Sequence, residues 1–460
     1  MHHFDLAVIG TGSGNTIVDE RFADRSVAIL EHGTFGGTCL NVGCIPTKMF
    51  VYPADVISAA AHGDRLGVHA RVEGVDWPAV RDRVFGRIDP ISASGRTWRA
   101  EKNPNVTLFE SHARFVGDRT IDTGGGETIT ADDVVVAAGS RVIVPDIDGL
   151  PPVGSGRVHS SDTIMRLDEL PSRVGIVGGG FVASEFAHIF ASFGTRVSVL
   201  VRSDAMLRAE DEEVSARFTE LAGERWDVRL HTEIRKVEEY GDGLRLHLSE
   251  GSVLDVDVLL VATGRTSNSD GLDLDRAGVD VDADGLVVVD EFQRTTARRV
   301  WALGDVANAF QLKHVANEEA RVVQHNLLYP DDMIATRHHA VPSAVFTEPQ
   351  VAKVGLTEQQ ARALGLEYVV ARQSYSGTAY GWAMEDTTGF AKLLAEPGTG
   401  RILGAHILGP QASNLIQPLI AAMSFGQSAH DVARGQYWIH PALMEVTENL
   451  LLGVERARRG

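Results

Sequence analysis

Only two cysteines occur in this 460-residue chain, and they stand five apart in GGTCLNVGCIPTK, as Cys39 and Cys44. A dithiol just past a dinucleotide-binding fingerprint reads as a redox relay rather than a structural staple. In a regular α-helix, residues five apart have Cα atoms roughly 8.7 Å from each other. A disulfide needs about 4.4–6.8 Å. If these cysteines bridge, the segment between them must be distorted, and Gly43 is placed to allow that. A strained bridge has a higher potential and is the labile, catalytic kind. The plainer alternatives are two free thiols or half of a metal site. A metal site needs more Cys or His close by, and the nearest, His32, lies before the glycines, so no metal is expected.

The residues around the pair extend the chemistry. Gly10, Gly12 and Gly14 follow an apolar run. Gly10 suits a tight turn, Gly12 lets the backbone approach a pyrophosphate, and a helix N-terminus is expected to face the phosphates. Asn15 stands where the fingerprint's third glycine is usual. Glu31 ends the next strand, where a carboxylate can bond ribose hydroxyls. Thr38, beside Cys39, and Gly139, closing DVVVAAGSR, are counted with this site. A second fingerprint reads Gly178, Gly180, Ala183, with Gly264 and Arg265 closing its unit. Where the first unit has Glu31, the second has Arg202, with Arg208 following. Guanidinium groups there suit a 2′-phosphate, so NADPH is expected over NADH. Lys48, one turn past Cys44, and Glu185, in the helix after the second fingerprint, are expected to meet as a charge pair beside a flavin. Near the C-terminus, Pro441 restricts His440, and Glu445 is placed to orient its ring.

The elements that must position these residues repeat. FDLAVIGTGSGN at 4–15 and SRVGIVGGGFVA at 172–183 each read as strand, glycine turn, helix, with second strands VAILE and VSVLVR about 20 residues on. Both halves end alike, in DVVVAAGSR and DVLLVATGR. A Pro- and Gly-rich stretch at 145–160 reads as a linker. A helix is expected over about 314–328, and from about 340 the pattern changes to an antiparallel sheet flanked by helices. Net charge is −19, which argues against nucleic acid and anionic membranes as partners. No apolar run is long enough for a transmembrane helix. The first strand-like run begins at Phe4, leaving no room for a signal peptide, and two close cysteines suit a reducing cytoplasm.

The redox run, the two fingerprints, ALGDV and the terminal HP…E resemble the pyridine nucleotide–disulfide oxidoreductases, the family of glutathione reductase and dihydrolipoamide dehydrogenase. The resemblance spans essentially the whole chain. It implies an α/β fold with two Rossmann-like domains and a C-terminal α+β dimerisation domain. The implied division is 1–147 for FAD, 148–265 for NADPH, 266–335 returning to the FAD unit, and 336–460 for the homodimer interface. It implies FAD and NADPH as cofactors, Cys44 as the flavin-proximal thiol and Cys39 as the exposed thiol that attacks substrate. His440, from the other subunit and supported by Glu445, is the implied acid–base group. Asp305 in ALGDV is the implied flavin-ribitol partner. Phe181 stands where relatives often carry a gating tyrosine, and Ser267 replaces a usual proline. No further cysteines exist near the C-terminus, which disfavours mercuric reductases and the large thioredoxin reductases, and Arg202 disfavours dihydrolipoamide dehydrogenase. The segments GTGSGNTIVDERFAD, YGWAMEDTTGF and GQYWIHPALMEVTENLL are most similar to the branch acting on the disulfide of mycothiol. Another low-molecular-weight disulfide reductase, glutathione reductase-like, or dihydrolipoamide dehydrogenase is the alternative. Tyr437 and Trp438 are candidates for reading the substrate's sugars, or for the core.

Overall fold

The computed structural model describes residues 2–459. Its first sheet is built on His2–Ile9, whose run Leu6–Ile9 is buried on both faces, as befits the centre of a parallel sheet. Val27–Leu30 and Thr128–Val136 flank it in parallel, and Val106–Phe109 extends the sheet beyond Val27–Leu30. Val300–Ala302 joins the free side of Thr128–Val136 in parallel. The chain therefore leaves this sheet, builds a second unit, and returns.

The second unit has a parallel sheet of Asp227–Arg229, Arg196–Leu200, Arg173–Val177, Val258–Val261 and Val158–His159, in that spatial order. A three-stranded antiparallel sheet, Ile234–Tyr240, Gly243–Leu248 and Val253–Val256, packs beside it. Between the two units run Ser140–Val142 and Arg265–Ser267, paired antiparallel. The third sheet, wholly antiparallel, runs Pro342–Val345, Gln350–Gly355, Ile402–Gly409, Phe390–Ala395, Val369–Ser374. The helix Glu445–Ala457 lays Val446, Leu450 and Val454 on it, a stripe one turn apart at each step.

The helices Cys44–Ala61, Trp77–Thr97 and Phe181–Ser192 tie the first two units together. Phe50, Trp77 and Phe190 stack through the junction, with ring centroids 5.2 and 6.0 Å apart. This aromatic core fixes the helix that carries Cys44 against the helix that carries Glu185. The helix Lys313–Leu328 covers the first sheet, close to the expected span. Among the described residues, no helix is long and apolar enough to cross a membrane.

One expected element is absent. After the first fingerprint there is no α-helix but two 3₁₀ turns, Gly14–Ile17 and Glu20–Phe22. The carbonyls of Asn15 and Val18, which a helix would use internally, accept hydrogen bonds from the Arg99 guanidinium at 2.8 and 2.7 Å. Asp19 then caps the second turn through the Arg21 amide. The second fingerprint does open the expected helix, Phe181–Ser192.

Candidate active site

Gly10 makes the turn out of the first strand at φ +105°; a Cβ there would lie 2.3 Å from the Ala137 carbonyl oxygen. Only glycine fits that approach. The turn leads into a cavity of about 1350 Å³ between the first unit, the second unit and the C-terminal sheet. Gly12, Glu31, Thr38, Gly139, Arg265 and Asp305 face it, as do Cys39, Cys44, Lys48 and Glu185. The sequence-derived residues of the first fingerprint and of the dithiol thus share one space. Gly14 is buried behind them against Ala137.

The two cysteines lie on different helices. Cys39 is in the short helix Gly37–Asn41, and Cys44 opens Cys44–Ala61. The break falls at Val42–Gly43, where Gly43 has φ −126° and ψ −117° and a Cβ would press on the Thr38 carbonyl at 3.0 Å. The two thiols hydrogen-bond each other, and that bond sets their acidities apart. Cys44 is pushed down to about 7, first by the Cys39 hydrogen bond and then, against the opposing effect of burial, by the Lys48 charge. Cys39 is pushed up, by the Cys44 hydrogen bond, by burial and by the neighbouring thiolate charge. Their exposure differs from the expectation that Cys39 is the open thiol. In this chain Cys44 is exposed and Cys39 only partly so. Both open on the cavity, Cys44 from a helix start and Cys39 from within a helical turn.

Lys48 donates to both oxygens of Glu185 at 2.7 Å. Glu185 is buried and also accepts the Phe346 amide at 3.0 Å, while the Lys48 ammonium lies over the Phe346 ring. Phe181, half exposed, stands at the cavity wall beside them. Arg265 donates to the Ser140 hydroxyl and carbonyl, and that hydroxyl donates to Asp305 at 2.8 Å. Glu31 accepts from the Thr11 amide and hydroxyl and from the Gly33 amide.

Other expected residues stand apart from the cavity. Gly178, at φ +130°, and Gly180 form the second turn, and Ala183 is buried in the helix that follows. Gly264 lies at the joint between the units. Arg202 and Arg208 are exposed past the end of Arg196–Leu200, with Arg208 4.0 Å from Asp204. His440 is bonded through Nδ1 to Glu445 at 2.5 Å, but its side chain is 70% exposed and faces no wall of its own chain's cavity. Tyr437 is fully exposed beside it, while Trp438 donates to the Ala433 carbonyl and packs on the C-terminal core.

Sequence reasoning missed three sets of residues. Lys313 lines the cavity and donates to the Ser13 hydroxyl at 2.8 Å. Glu319, buried, accepts the Gly304 amide and the Asn308 side chain, holding the turn that carries Asp305. Lys392, 2% exposed, binds Asp211 at 2.7 Å and Glu358 at 2.6 Å. A signal for the lysines was present. The chain has only six of them against 37 arginines, and four (Lys48, Lys313, Lys353, Lys392) make polar contacts at the cavity or at the seam between the second and third sheets.

The model of the family described as pyridine nucleotide-disulphide oxidoreductase matches residues 4–320, and that of its dimerisation domain matches 341–451. The chain is 54% identical to mycothione reductase of Mycobacterium tuberculosis, over 99% of this chain and 100% of that protein. It is 32% identical to glutathione reductase of Burkholderia cepacia, over 96% of this chain and 97% of that protein. Among solved structures, the HOCl-induced flavoprotein disulfide reductase RclA from Escherichia coli is similar with a TM-score of 0.84 at 28% identity, covering 97% of this chain and 99% of that one. With both family models matched and full-length relatives at this identity, the chain belongs to the pyridine nucleotide-disulphide oxidoreductases.

Proposed function

We propose that this protein is an FAD-dependent disulfide reductase that uses NADPH to reduce mycothiol disulfide to two molecules of mycothiol. One observation carries the reading: the Cys39–Cys44 pair opens on the same cavity as the first dinucleotide turn, in a chain 54% identical end to end to a mycothione reductase. In this division residues 1–147 and 266–335 hold FAD, 148–265 hold NADPH, and 336–460 form the homodimer interface. A cytoplasmic location suits a dithiol that must be kept cycling.

The residues fit the cofactor. The close backbone approach at Gly10, the Glu31 carboxylate and the Ser140–Asp305 pair offer partners along an extended dinucleotide. When bound, FAD carries reducing equivalents from NADPH to the Cys39–Cys44 disulfide. The remaining chemistry belongs to side chains. Cys39 attacks one sulfur of the substrate as a thiolate, forming a mixed disulfide and releasing one mycothiol thiolate. His440, supplied by a second copy of this chain and held by Glu445, takes the Cys39 proton as that thiolate forms and hands it to the leaving mycothiol thiolate. Cys44, an anion near neutral pH beside Lys48 at a helix start, then attacks the Cys39 sulfur. The second mycothiol leaves, and the Cys39–Cys44 disulfide re-forms. Glu185 keeps the Lys48 ammonium in place through both steps.

The test is NADPH oxidation by the FAD-loaded protein, with mycothiol disulfide, glutathione disulfide and lipoamide as parallel acceptors. Turnover confined to mycothiol disulfide is expected. Turnover with glutathione disulfide or lipoamide instead would overturn the substrate while leaving the relay.

A further inference from the structure

The phosphate turn of the first fingerprint lacks the helix whose dipole would meet a diphosphate. Among the described residues, the backbone amides of Gly12 and Ser13 have no protein acceptor, so donors remain at the turn without the helix behind them. Two cations from distant parts of the chain surround it. Arg99, at the end of the helix Trp77–Thr97, is 8% exposed and reaches the turn from behind. Its guanidinium donates to the Asn15 side chain at 2.9 Å and to the Asn15 and Val18 carbonyls. It makes no ion pair among the described residues, and burial pushes its pKa down against the opposing charge of Asp19. An unpaired guanidinium that deep is costly unless an anion compensates it.

Lys313 approaches from the cavity side. It is the first residue of the 16-residue helix Lys313–Leu328, the end at which the macrodipole disfavours a cation. It also makes no ion pair among the described residues. Its ammonium donates to the hydroxyl of Ser13, inside the fingerprint, and Asn317 one turn on meets the same hydroxyl at 3.3 Å. Two positive charges without an ion-pair partner among the described residues therefore flank one glycine turn, and a dinucleotide's diphosphate carries two negative ones.

We propose that Lys313 and Arg99 take the place of the missing helix: Lys313 as a binding residue for the diphosphate of the bound dinucleotide, Arg99 as the residue that positions the turn. The proposal rests on the reading of this cavity as the FAD site. The two cations divide the work by geometry. Lys313 faces the cavity and meets the ligand, whereas Arg99 acts through the carbonyls that it holds and through its field.

FAD binding to the full-length apoprotein, followed by quenching of flavin fluorescence at several salt concentrations, tests this. Lys313→Met should weaken FAD binding about 10–100-fold, the worth of one charge-assisted hydrogen bond. It should also flatten the salt dependence, because one screened attraction is gone. Competition by ADP should weaken in parallel, and competition by adenosine, which has no diphosphate, should not. Arg99→Lys should retain most of the affinity that Arg99→Met loses; if Arg99→Met does not fold, Arg99→Lys and Lys313→Met carry the test. Unchanged affinity and salt dependence in Lys313→Met, or equal losses for ADP and adenosine, would overturn the proposal. Those outcomes leave the function intact. A wild-type protein that binds no FAD would sink the functional reading, and this inference with it.

Discussion

Cys44 begins a helix, faces Lys48 one turn on, and accepts a hydrogen bond from Cys39; each of these favours its anion. The reduced apoprotein should therefore show one thiol whose alkylation rate rises with a midpoint near pH 7, and mass mapping should place the adduct on Cys44. Cys39→Ala removes the largest of the causes, so the Cys44 midpoint should move up; an unmoved midpoint would assign the acidity to Lys48 and the helix instead. The redox pair and its charged neighbours were legible because their chemistry is local in sequence, within GGTCLNVGCIPTK. Lys48 and Glu185 are 137 residues apart, and only the paired fingerprints told that their helices would meet. Lys313 gave no such sign, since its partner Ser13 lies 300 residues away and no motif joins them. Arg202 and Arg208 are exposed past the end of their strand, and the NADPH reading assigns them to the 2′-phosphate. Replacing both with uncharged residues should raise KM for NADPH well beyond any change for NADH. Equal changes for the two nucleotides would remove them from the site.

At the scale of elements, strands and most helices followed from hydrophobic pattern, and the exception is instructive. NTIVDERFAD after the first fingerprint repeats the outline of the second unit, yet its carbonyls at Asn15 and Val18 are claimed by Arg99 from 84 and 81 residues away. A long-range side chain outbids local helical bonding, which no window of sequence reveals. The seam between the second unit and the C-terminal sheet was equally hidden. There Asp211 caps the helix Glu212–Arg225 and is wholly buried with Lys392, while Glu358 meets the same ammonium. Burial alone would raise the Asp211 carboxyl, but Lys392 and the Glu358 amide hold it below the usual carboxylate range. Lys392→Met leaves the buried Asp211 carboxylate without its ion-pair partner, though Glu358 keeps Arg362 and Arg372, and should cost about 3–5 kcal/mol in denaturant unfolding. A loss under about 1 kcal/mol would mean the pair is solvent-screened. His406, packed in the same cluster and facing Asp211, Lys392 and Lys353, donates to the Leu356 carbonyl and is pushed by burial down to about 4 from 6.5. The unfolded chain then binds a proton below about pH 6.5 that the folded one refuses until about pH 4. Stability should fall by about 1.4 kcal/mol per pH unit across that window as the solution is acidified. His406→Gln should flatten this slope whatever it does to stability at neutral pH.

For the whole molecule, the decisive fact is that the His440–Glu445 pair and the dithiol do not meet within one chain. His440 is fixed by Glu445 at 2.5 Å yet turned outward, and Phe425, Tyr437 and Ile439 are large apolar side chains exposed on the same C-terminal unit. A surface of that kind is what a twofold interface covers, and the proposed mechanism has each chain's His440 serve the other's cysteines. The HP…E motif carried its direction only through the family resemblance, because orientation across an interface depends on how whole sheets dock. Mixed dimers separate the two possibilities. His440→Ala and Cys39→Ser chains should each be nearly inactive as homodimers, since general acid–base help of this kind is worth about 10²–10⁴-fold. Co-expressed in equal amounts, they should regain about a quarter of wild-type turnover, because random pairing makes half the dimers mixed and each mixed dimer holds one intact site and one doubly impaired site. If His440 served its own chain, every site in every mixture would lack one group, and no activity would return.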